Sequence, residues 1–408
     1  MPKKTKIFHI ITRLDKGGSA ENTIITCRQT NTEKFDSHLL FGPSNFKISE
    51  LSGIKYFQIK NLEREISLFT DIKAFFEIAR LLKTEHPDIL HTHSSKAGFL
   101  GRWAAFYVNH ISKFTRNHTT SNPVDFGTTG KSQISIKIVH TPHGHVFYGY
   151  SGLIKTKLFI ILEKITALIT DKLIALTEGE RDESIAFGVG NIGQWAVVHS
   201  GVDYPVNLDF NTSELKKQLD IRPEAVVIGS VARLDPVKGI VHLVDAFKLL
   251  IDYSLPLPAY LLIVGDGTER KNIESTIQSL NLKNKVILTG MRNDVINLMS
   301  IMDIYVQPSL NEGMGKTILQ AMLLKKAVIG TNVQGIPSLI KHNDTGILVK
   351  PASPQELAEE IEKLINDKTY AEKLGANAYA FVTEKKDGFL KFSPERMVFL
   401  LEQIYENL

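Results

Sequence analysis

The chain has 408 residues, of which 43% are hydrophobic, with a formal net charge of +4 and a single cysteine, Cys27. That length predicts two or three domains with full-sized cores, and one thiol excludes a disulfide framework and a cysteine-based zinc site, in keeping with a reducing, cytoplasmic setting. Lys, Glu or Asp interrupts the longest apolar stretches well short of the roughly 18 residues a spanning helix needs, so no integral membrane segment is expected. The opening MPKKTKIFHIITRL sets basic residues ahead of an apolar run, but IFHII is too short for a signal peptide and reads as a first strand.

Charge is shared unevenly. Residues 1–200 hold 25 Lys+Arg against 18 Asp+Glu, a net of +7, and residues 201–408 hold 23 against 26, a net of −3. A basic first half suits an anionic partner. The sequence carries no recognition-helix, zinc-finger or RNP-like pattern, so no nucleic acid is expected, and a peripheral anionic membrane surface or a lipid-phosphate acceptor fits better. An incidental surface bias is the plain alternative.

In chain order, KIFHIIT (6–12) reads as a buried strand that runs into Gly17 and Gly18 and then an amphipathic helix to about Thr30. HLLFG (38–42) and KYFQI (55–59) are further strands. A helix from Asp71 to Lys83 places Ile72, Phe75, Phe76, Ala79 and Leu82 on one face. DILHTH then forms a strand on which His91 and His93 share a face, followed by a helix capped near Ser94 or Ser95. Two histidines alone, with no carboxylate or third histidine at supporting spacing, argue against a metal there.

Residues 109–137 are polar, aperiodic and hold four basic residues to one acidic, which predicts an insertion. Disorder is the plain expectation, and contact with an acidic acceptor or headgroup the sharper one. KIVHT (137–141) delivers His143 and His145 into a Gly turn at a strand's C-terminal end, where catalytic side chains are presented. Leu153 to Thr170 is a Leu/Ile/Phe-rich helix with interspersed lysines. A core helix covering the sheet is favoured, and an interfacial membrane helix is the alternative. KLIALT (172–177) is a strand, and Thr177-x-x-Glu180 is a capping box.

The second half opens with the strand VVIGSVARL (226–234), whose end sets Arg233 and Lys238 around a turn suited to a diphosphate. AYLLIVGDG (259–267) and KVILTG (285–290) end in turns carrying Asp266 and Arg292. The strand IYVQPS leads through Glu312-Gly313-Met314-Gly315 into the helix TILQAMLLKK. The free N–H groups of Lys316 and Thr317 at that helix tip favour a phosphate, and Glu312 is placed for sugar hydroxyls.

The string Ser309-x-x-Glu312-Gly313-x-Gly315, then Ala321-Met322, Gly335-x-Pro337 and Gly346-x-Leu348-Val349, resembles the donor-binding signature of family 4 retaining glycosyltransferases. Gly229, Arg233, Lys238 and Gly239 match the family's G-x-x-x-R-x-x-x-x-K-G pattern, and HTHSSKAG and TPHGHVF extend the resemblance into the first half. The family's second Glu is replaced here by Gln320.

The resemblance implies a GT-B fold, an α/β architecture of two Rossmann-like doubly wound parallel-sheet domains facing a cleft. Residues 1–203 would form the acceptor-side domain, 204–390 the nucleotide-sugar domain, and 391–408 a helix crossing back. It implies a metal-independent retaining hexosyltransferase with no cofactor beyond its nucleotide-sugar co-substrate, a UDP-sugar by preference. The acceptor would be a glycan or lipid-linked glycan of bacterial surface polysaccharide assembly.

His143, Arg233, Lys238 and Glu312 take the catalytic roles in this reading. Gly313, Met314, Gly315, Lys316, Thr317, Gln320, Asp266 and Arg292 hold the donor, and Gly17, Gly18, His93 and His145 shape the acceptor side. A GT-B epimerase, a phosphorylase lacking a clear pyridoxal lysine, and a catalytically decayed binding protein are the alternatives.

Overall fold

A computed structural model describes residues 3–14, 17–117, 135–144, 153–204, 210–253 and 255–408. His145 and most of the 109–137 insertion lie outside the described residues.

The first lobe is built on seven parallel strands, β1 (Thr5–Ile11), β2 (Phe35–Phe41), β3 (Lys55–Gln58), β4 (Ile89–His93), β5 (Lys137–Thr141), β6 (Lys172–Ala175) and β7 (Trp195–Val197). Their order is β3-β2-β1-β4-β5-β6-β7. The connecting helices are α1 (Gly18–Gln29), α2 (Leu68–Glu85), α3 (Ser95–Asn117), α4 (Leu153–Ala167) and α5 (Glu178–Ala186). Because β1 leads outward to β2 while β3, β4 and β5 each lead the other way, right-handed crossovers put α1 on one face and α2, α3 and α4 on the opposite face.

The strand alternation agrees. Phe8 and Ile10 pack with Ala74, Ile78 and Ala104 of α2 and α3, whereas Ile7, Ile89 and Val139 face the other way.

The second lobe begins with α6 (Thr212–Gln218). Six parallel strands follow, β8 (Val226–Val231), β9 (Ala259–Val264), β10 (Val286–Leu288), β11 (Ile304–Gln307), β12 (Ala327–Thr331) and β13 (Ile347–Val349), in the order β10-β9-β8-β11-β12-β13. Its covering helices are α7 (Ile240–Asp252), α8 (Arg270–Ser279), α9 (Val295–Ser300), α10 (Lys316–Leu323), α11 (Ile336–Leu339), α12 (Pro354–Asn366) and α13 (Lys368–Thr383). A small hairpin of β14 (Lys385–Lys386) and β15 (Phe389–Leu390), absent from the sequence reading, precedes the last helix, α14 (Pro394–Glu406). Met397, Val398, Leu401 and Tyr405 of α14 complete the core of the first lobe against Ile7, Ile89 and Val139. The Tyr405 hydroxyl lies 2.6 Å from His91 Nδ1.

Three helices depart from their sequence expectations. α3 continues as helix to Asn117, so residues 109–117 belong to it rather than to an insertion. α2 buries Ala74, Ile78, Ala79 and Leu82, while Ile72 and Phe76 are exposed. The helix has two apolar faces, and the small-residue face fits closest to the sheet. α4 covers the sheet as expected through the side carrying Ile160 and Ala167, but an aliphatic row on its other side faces solvent.

Candidate active site

The C-terminal ends of both sheets face one another across a cleft of about 590 Å³ lined from both lobes, the place where doubly wound sheets bind ligands. Gly17, Gly18, His143, Arg233, Lys238, Arg292, residues 312–317 and Gln320 all line it. Asp266 and His93 do not.

On the second-lobe wall, β8 ends beside Lys238, and β11 ends at the Ser309–Gly315 loop. Lys238 Nζ donates to Glu312 Oε2 at 2.7 Å, and both side chains are largely buried. These two predicted residues are thus partners rather than separate tools. Gln307, which the sequence reading passed over, supports them. Its amide nitrogen donates to Ser309 Oγ (2.8 Å) and to Glu312 Oε2 (3.3 Å). Its carbonyl oxygen accepts from the Tyr305 hydroxyl (2.6 Å) and from Thr317 (3.1 Å). A polar network this enclosed fixes the carboxylate in one place, because a partner lost in a dry site costs about 1–3 kcal/mol.

Arg233 is half exposed, with Nη2 3.0 Å from Asp235 Oδ2. Arg292 gives both arms of its guanidinium to Asp294 (2.8 and 2.6 Å). Asp266 accepts from Gly267 N and from Arg270 (3.2 Å), which makes it a turn residue outside the cleft.

Gly315 is the N-cap of α10 with φ +82°, and an added Cβ would lie 2.9 Å from Ile318. Only glycine takes that left-handed step without strain. It leaves the N–H groups of Lys316 and Thr317 without intrahelical acceptors at the positive end of the helix. Gly313 is required for a different reason. Its position is so close to Gly144 of the other lobe that a Cβ would come within 2.9 Å of the Gly144 Cα. Thr177 Oγ1 also donates to Gly313 O at 3.3 Å, so the two lobes touch at this loop.

Nearby, the Lys316 stem passes Gly18. Its Nζ donates to Glu21 Oε2 at 2.6 Å, which clasps α10 to α1.

On the first-lobe wall His143 lines the cleft beside Gly17, Gly18, Glu21, Ser94 and Ser95. His143 sits in left-handed backbone (φ +59°), and buried Glu180 holds the turn by accepting from Gly144 N at 2.8 Å. The capping box found in the sequence forms, with Thr177 accepting from Glu180 N. The Glu180 carboxylate reaches instead to Gly144 and Leu176, a role only the fold reveals.

Behind His143 runs a chain of imidazoles. His143 Nε2 lies 3.0 Å from His93 Nδ1, and His93 Nε2 lies 3.3 Å from His9 Nδ1. His93 is therefore an inner support of the wall, not a surface of it. Burial holds His9 down to about pKa 3. Burial and the Lys316 ammonium push His143 down to about 3, and burial places His91 and His93 well below their ordinary range. All four are neutral at physiological pH. A neutral imidazole has one N–H, so the chain runs in one direction at a time, and that direction decides whether the unpartnered His143 Nδ1 carries the proton.

His9 also supplies the third histidine that the sequence did not show near His91 and His93. One nitrogen from each lies within 4.8 Å of the others. Both nitrogens of His91 pair with Tyr405 and Thr141, and both of His93 with histidines. A metal ion would have to break those bonds.

The family model described as Glycosyl transferases group 1 matches residues 211–381, and that described as Glycosyl transferase 4-like domain matches residues 42–201. The chain is 29% identical over 340 residues to the UDP-Gal:alpha-D-GlcNAc-diphosphoundecaprenol alpha-1,3-galactosyltransferase of Escherichia coli, covering 82% of this chain and 81% of that one. It is 26% identical over 389 residues to the capsular polysaccharide biosynthesis glycosyltransferase CapM of Staphylococcus aureus, covering 94% and 93%. The crystal structure of Anabaena HepE in complex with UDP and glucose superposes with a TM-score of 0.76 at 21% identity, covering 99% and 100%.

Proposed function

The chain belongs to the family 4 glycosyltransferases of the GT-B fold, and from that premise we propose that it moves a hexose from a UDP-sugar to a hydroxyl of a lipid-linked glycan. The transfer retains the anomeric configuration and needs no divalent cation. One observation carries this reading: a largely buried Lys238–Glu312 pair, Arg233 and an uncapped helix tip converge on one wall of the cleft. The E. coli relative, whose name specifies a UDP-galactose donor and a diphosphoundecaprenol-linked acceptor, supports the choice of donor and acceptor.

The chemical difficulty is the departure of a diphosphate. As the C1–O bond to the phosphate breaks, negative charge grows on the leaving oxygen. Lys238, Arg233 and the N–H groups of Lys316 and Thr317 receive it, each directed contact contributing about 2–4 kcal/mol to the transition state. Glu312, fixed by Gln307 and Ser309, accepts hydrogen bonds from sugar hydroxyls, and His143 positions the sugar from the opposite lobe. The acceptor oxygen bonds C1 on the face the phosphate leaves, and its proton passes to the departing phosphate oxygen, giving UDP and the extended glycan. Gln320 lines the cleft and offers neutral hydrogen bonds to the nucleotide ribose.

The test is incubation with labelled UDP-sugars, without and with a lipid-diphosphate glycan acceptor, in the presence of a chelator. Slow donor hydrolysis that becomes transfer with retained anomeric configuration is the expected result. Isomerised donor, inverted product, or activity restored only by magnesium or manganese would each overturn the corresponding part.

A further inference from the structure

The covering helices α2, α3 and α4 lie side by side on one face of the first-lobe sheet, and their outer surface is apolar. On α4 and the residue just past it, Ile154, Leu158, Ile161, Ile165 and Leu168 recur at helical spacing and are 87%, 54%, 52%, 45% and 85% exposed. On α2 and the turn before it, Ile66, Leu68, Phe69, Ile72 and Phe76 are exposed as well.

Between these two helices, α3 presents a run of rings. Trp103 stands edge-on to Phe106, and Tyr107 to Phe76. Trp103 Nε1 also donates to Thr166 Oγ1 of α4 at 3.1 Å. Buried Arg102 of α3 grips Glu163 of α4 with two bonds of 2.9 and 2.8 Å, which fixes α4 on its neighbour. Scattered apolar side chains need no explanation, but rows on adjacent helices joined by aromatics mark an interaction surface.

Charge identifies the partner. Lys155, Lys157 and Lys164 flank the α4 row, and Lys73, Arg80 and Lys83 stand exposed on α2. The acidic groups on the three helices themselves are engaged within the protein. Glu163 is bound by Arg102, Asp71 by Lys96, and Glu77 accepts from the backbone of Lys60 and Asn61. Glu63 and Glu65, in the turn before α2, stand on either side of Arg64.

We propose that the α2–α3–α4 face docks on an anionic lipid bilayer, with its aliphatic rows and aromatic rings in the headgroup region and its lysines on lipid phosphates. A second copy of the chain fits less well, because a symmetric pairing through α4 would bring its lysines together. The docked orientation is useful to the cleft. Ser95, at the start of α3, lines it, and α4 begins shortly after the His143 turn. The strand-end edge of the docked face therefore meets the mouth where a membrane-held acceptor enters.

The inference rests on the lipid-linked acceptor proposed above. Co-sedimentation of the full chain with phosphatidylcholine vesicles, with and without phosphatidylglycerol, tests it. Binding is expected only with phosphatidylglycerol and should weaken as salt rises. The triple variant Leu158→Glu, Ile161→Glu, Ile165→Glu should lower the partition about tenfold or more, with melting temperature unchanged. The double variant Lys155→Glu, Lys157→Glu should weaken binding and flatten its salt dependence.

Equal partition of wild type and triple variant overturns the proposal. So does a wild-type dimer, seen by light scattering, that the triple variant dissolves while vesicle binding stays the same. Acceptor-free donor hydrolysis reads the cleft separately. Vesicle binding without turnover would sink the proposed function and leave the docking face standing, and turnover without vesicle binding would do the reverse.

Discussion

The first lobe holds eleven of the chain's 13 histidines and the second only two, His242 and His342, and the walls of the cleft inherit that difference. The second-lobe wall is ionic: Lys238, Glu312 and Arg233 are charged and held by a polar network anchored on Gln307 and Tyr305. The first-lobe wall is neutral around His143, which is backed by His93 and His9 inside a sheet too dry to charge them, and its lining carboxylate, Glu21, is held by Lys316. The contrast suits the proposed chemistry. Charge develops on the leaving diphosphate, where fixed charges are most useful, whereas the sugar needs only hydrogen bonds whose direction is settled in advance.

The largest expected effect is on stability in acid. The folded pKa of His9 is depressed from 6.5 to about 3, so below pH 6.5 the unfolded chain binds a proton that the folded chain refuses. Stability is full above pH 6.5 and is lost as pH falls toward 3, with about 2 kcal/mol gone by pH 5 from this residue alone. His91, His93, His140 and His143 act in the same direction. Both tryptophans, Trp103 and Trp195, lie in the first lobe. Tryptophan fluorescence should therefore change on acidification before circular dichroism reports loss of the second lobe. A second lobe that unfolds first would break the comparison.

Next in size is Lys238→Ala, which should reduce acceptor-free donor turnover about 100-fold. It should also lower the melting temperature modestly, since Glu312 loses its partner. Wild-type turnover in that variant would remove Lys238 from the diphosphate site.

On the neutral wall, His143→Ala should cost about tenfold in kcat. Because His143 stays neutral, the wild-type kcat profile should show no histidine limb near pH 6.5. A limb there that disappears in His143→Asn would show that the residue titrates during turnover. His9→Leu, which removes the inner end of the imidazole chain, should lower kcat about threefold with little change in KM. His9→Asn, whose amide reproduces the Nδ1 position, should restore it. Nitrogen NMR of His143 should show mixed tautomers in His9→Leu and a single one in wild type.

The smallest effect belongs to the clasp between the lobes. Glu21→Gln, which weakens the contact with Lys316, should raise donor KM about twofold, because a partly exposed ion pair contributes roughly 0.2–1 kcal/mol.

Much of the fold was legible beforehand. The strands announced themselves as short apolar runs ending at Gly, Pro or a polar turn, and the end of β11 with its Glu-Gly-Met-Gly loop marked the second-lobe wall of the cleft. Arg233, Lys238 and Glu312 were readable because each stands at the end of a strand, where sequence order and position in the cleft coincide. Asp266 stands at an equivalent turn, yet it lies outside the cleft and accepts from Arg270, and which neighbour captures a side chain is settled only on folding. Gln307 and Glu180 gave no signal, since one lies inside a strand and the other inside a capping box.

Local sequence, then, determined the order of elements, the glycine at the start of α10 and the charged residues at the second-lobe strand ends, because hydrophobic period and backbone sterics act over a few neighbouring residues. Tertiary structure alone decided three other things. It brought His9 of β1 to His93 of β4, paired Lys238 with Glu312, and turned one apolar row of α4 toward solvent. Parallel pairing joins segments separated by 84 residues in the first case, and a helix with aliphatic residues on two sides carries no mark of which one the sheet will cover.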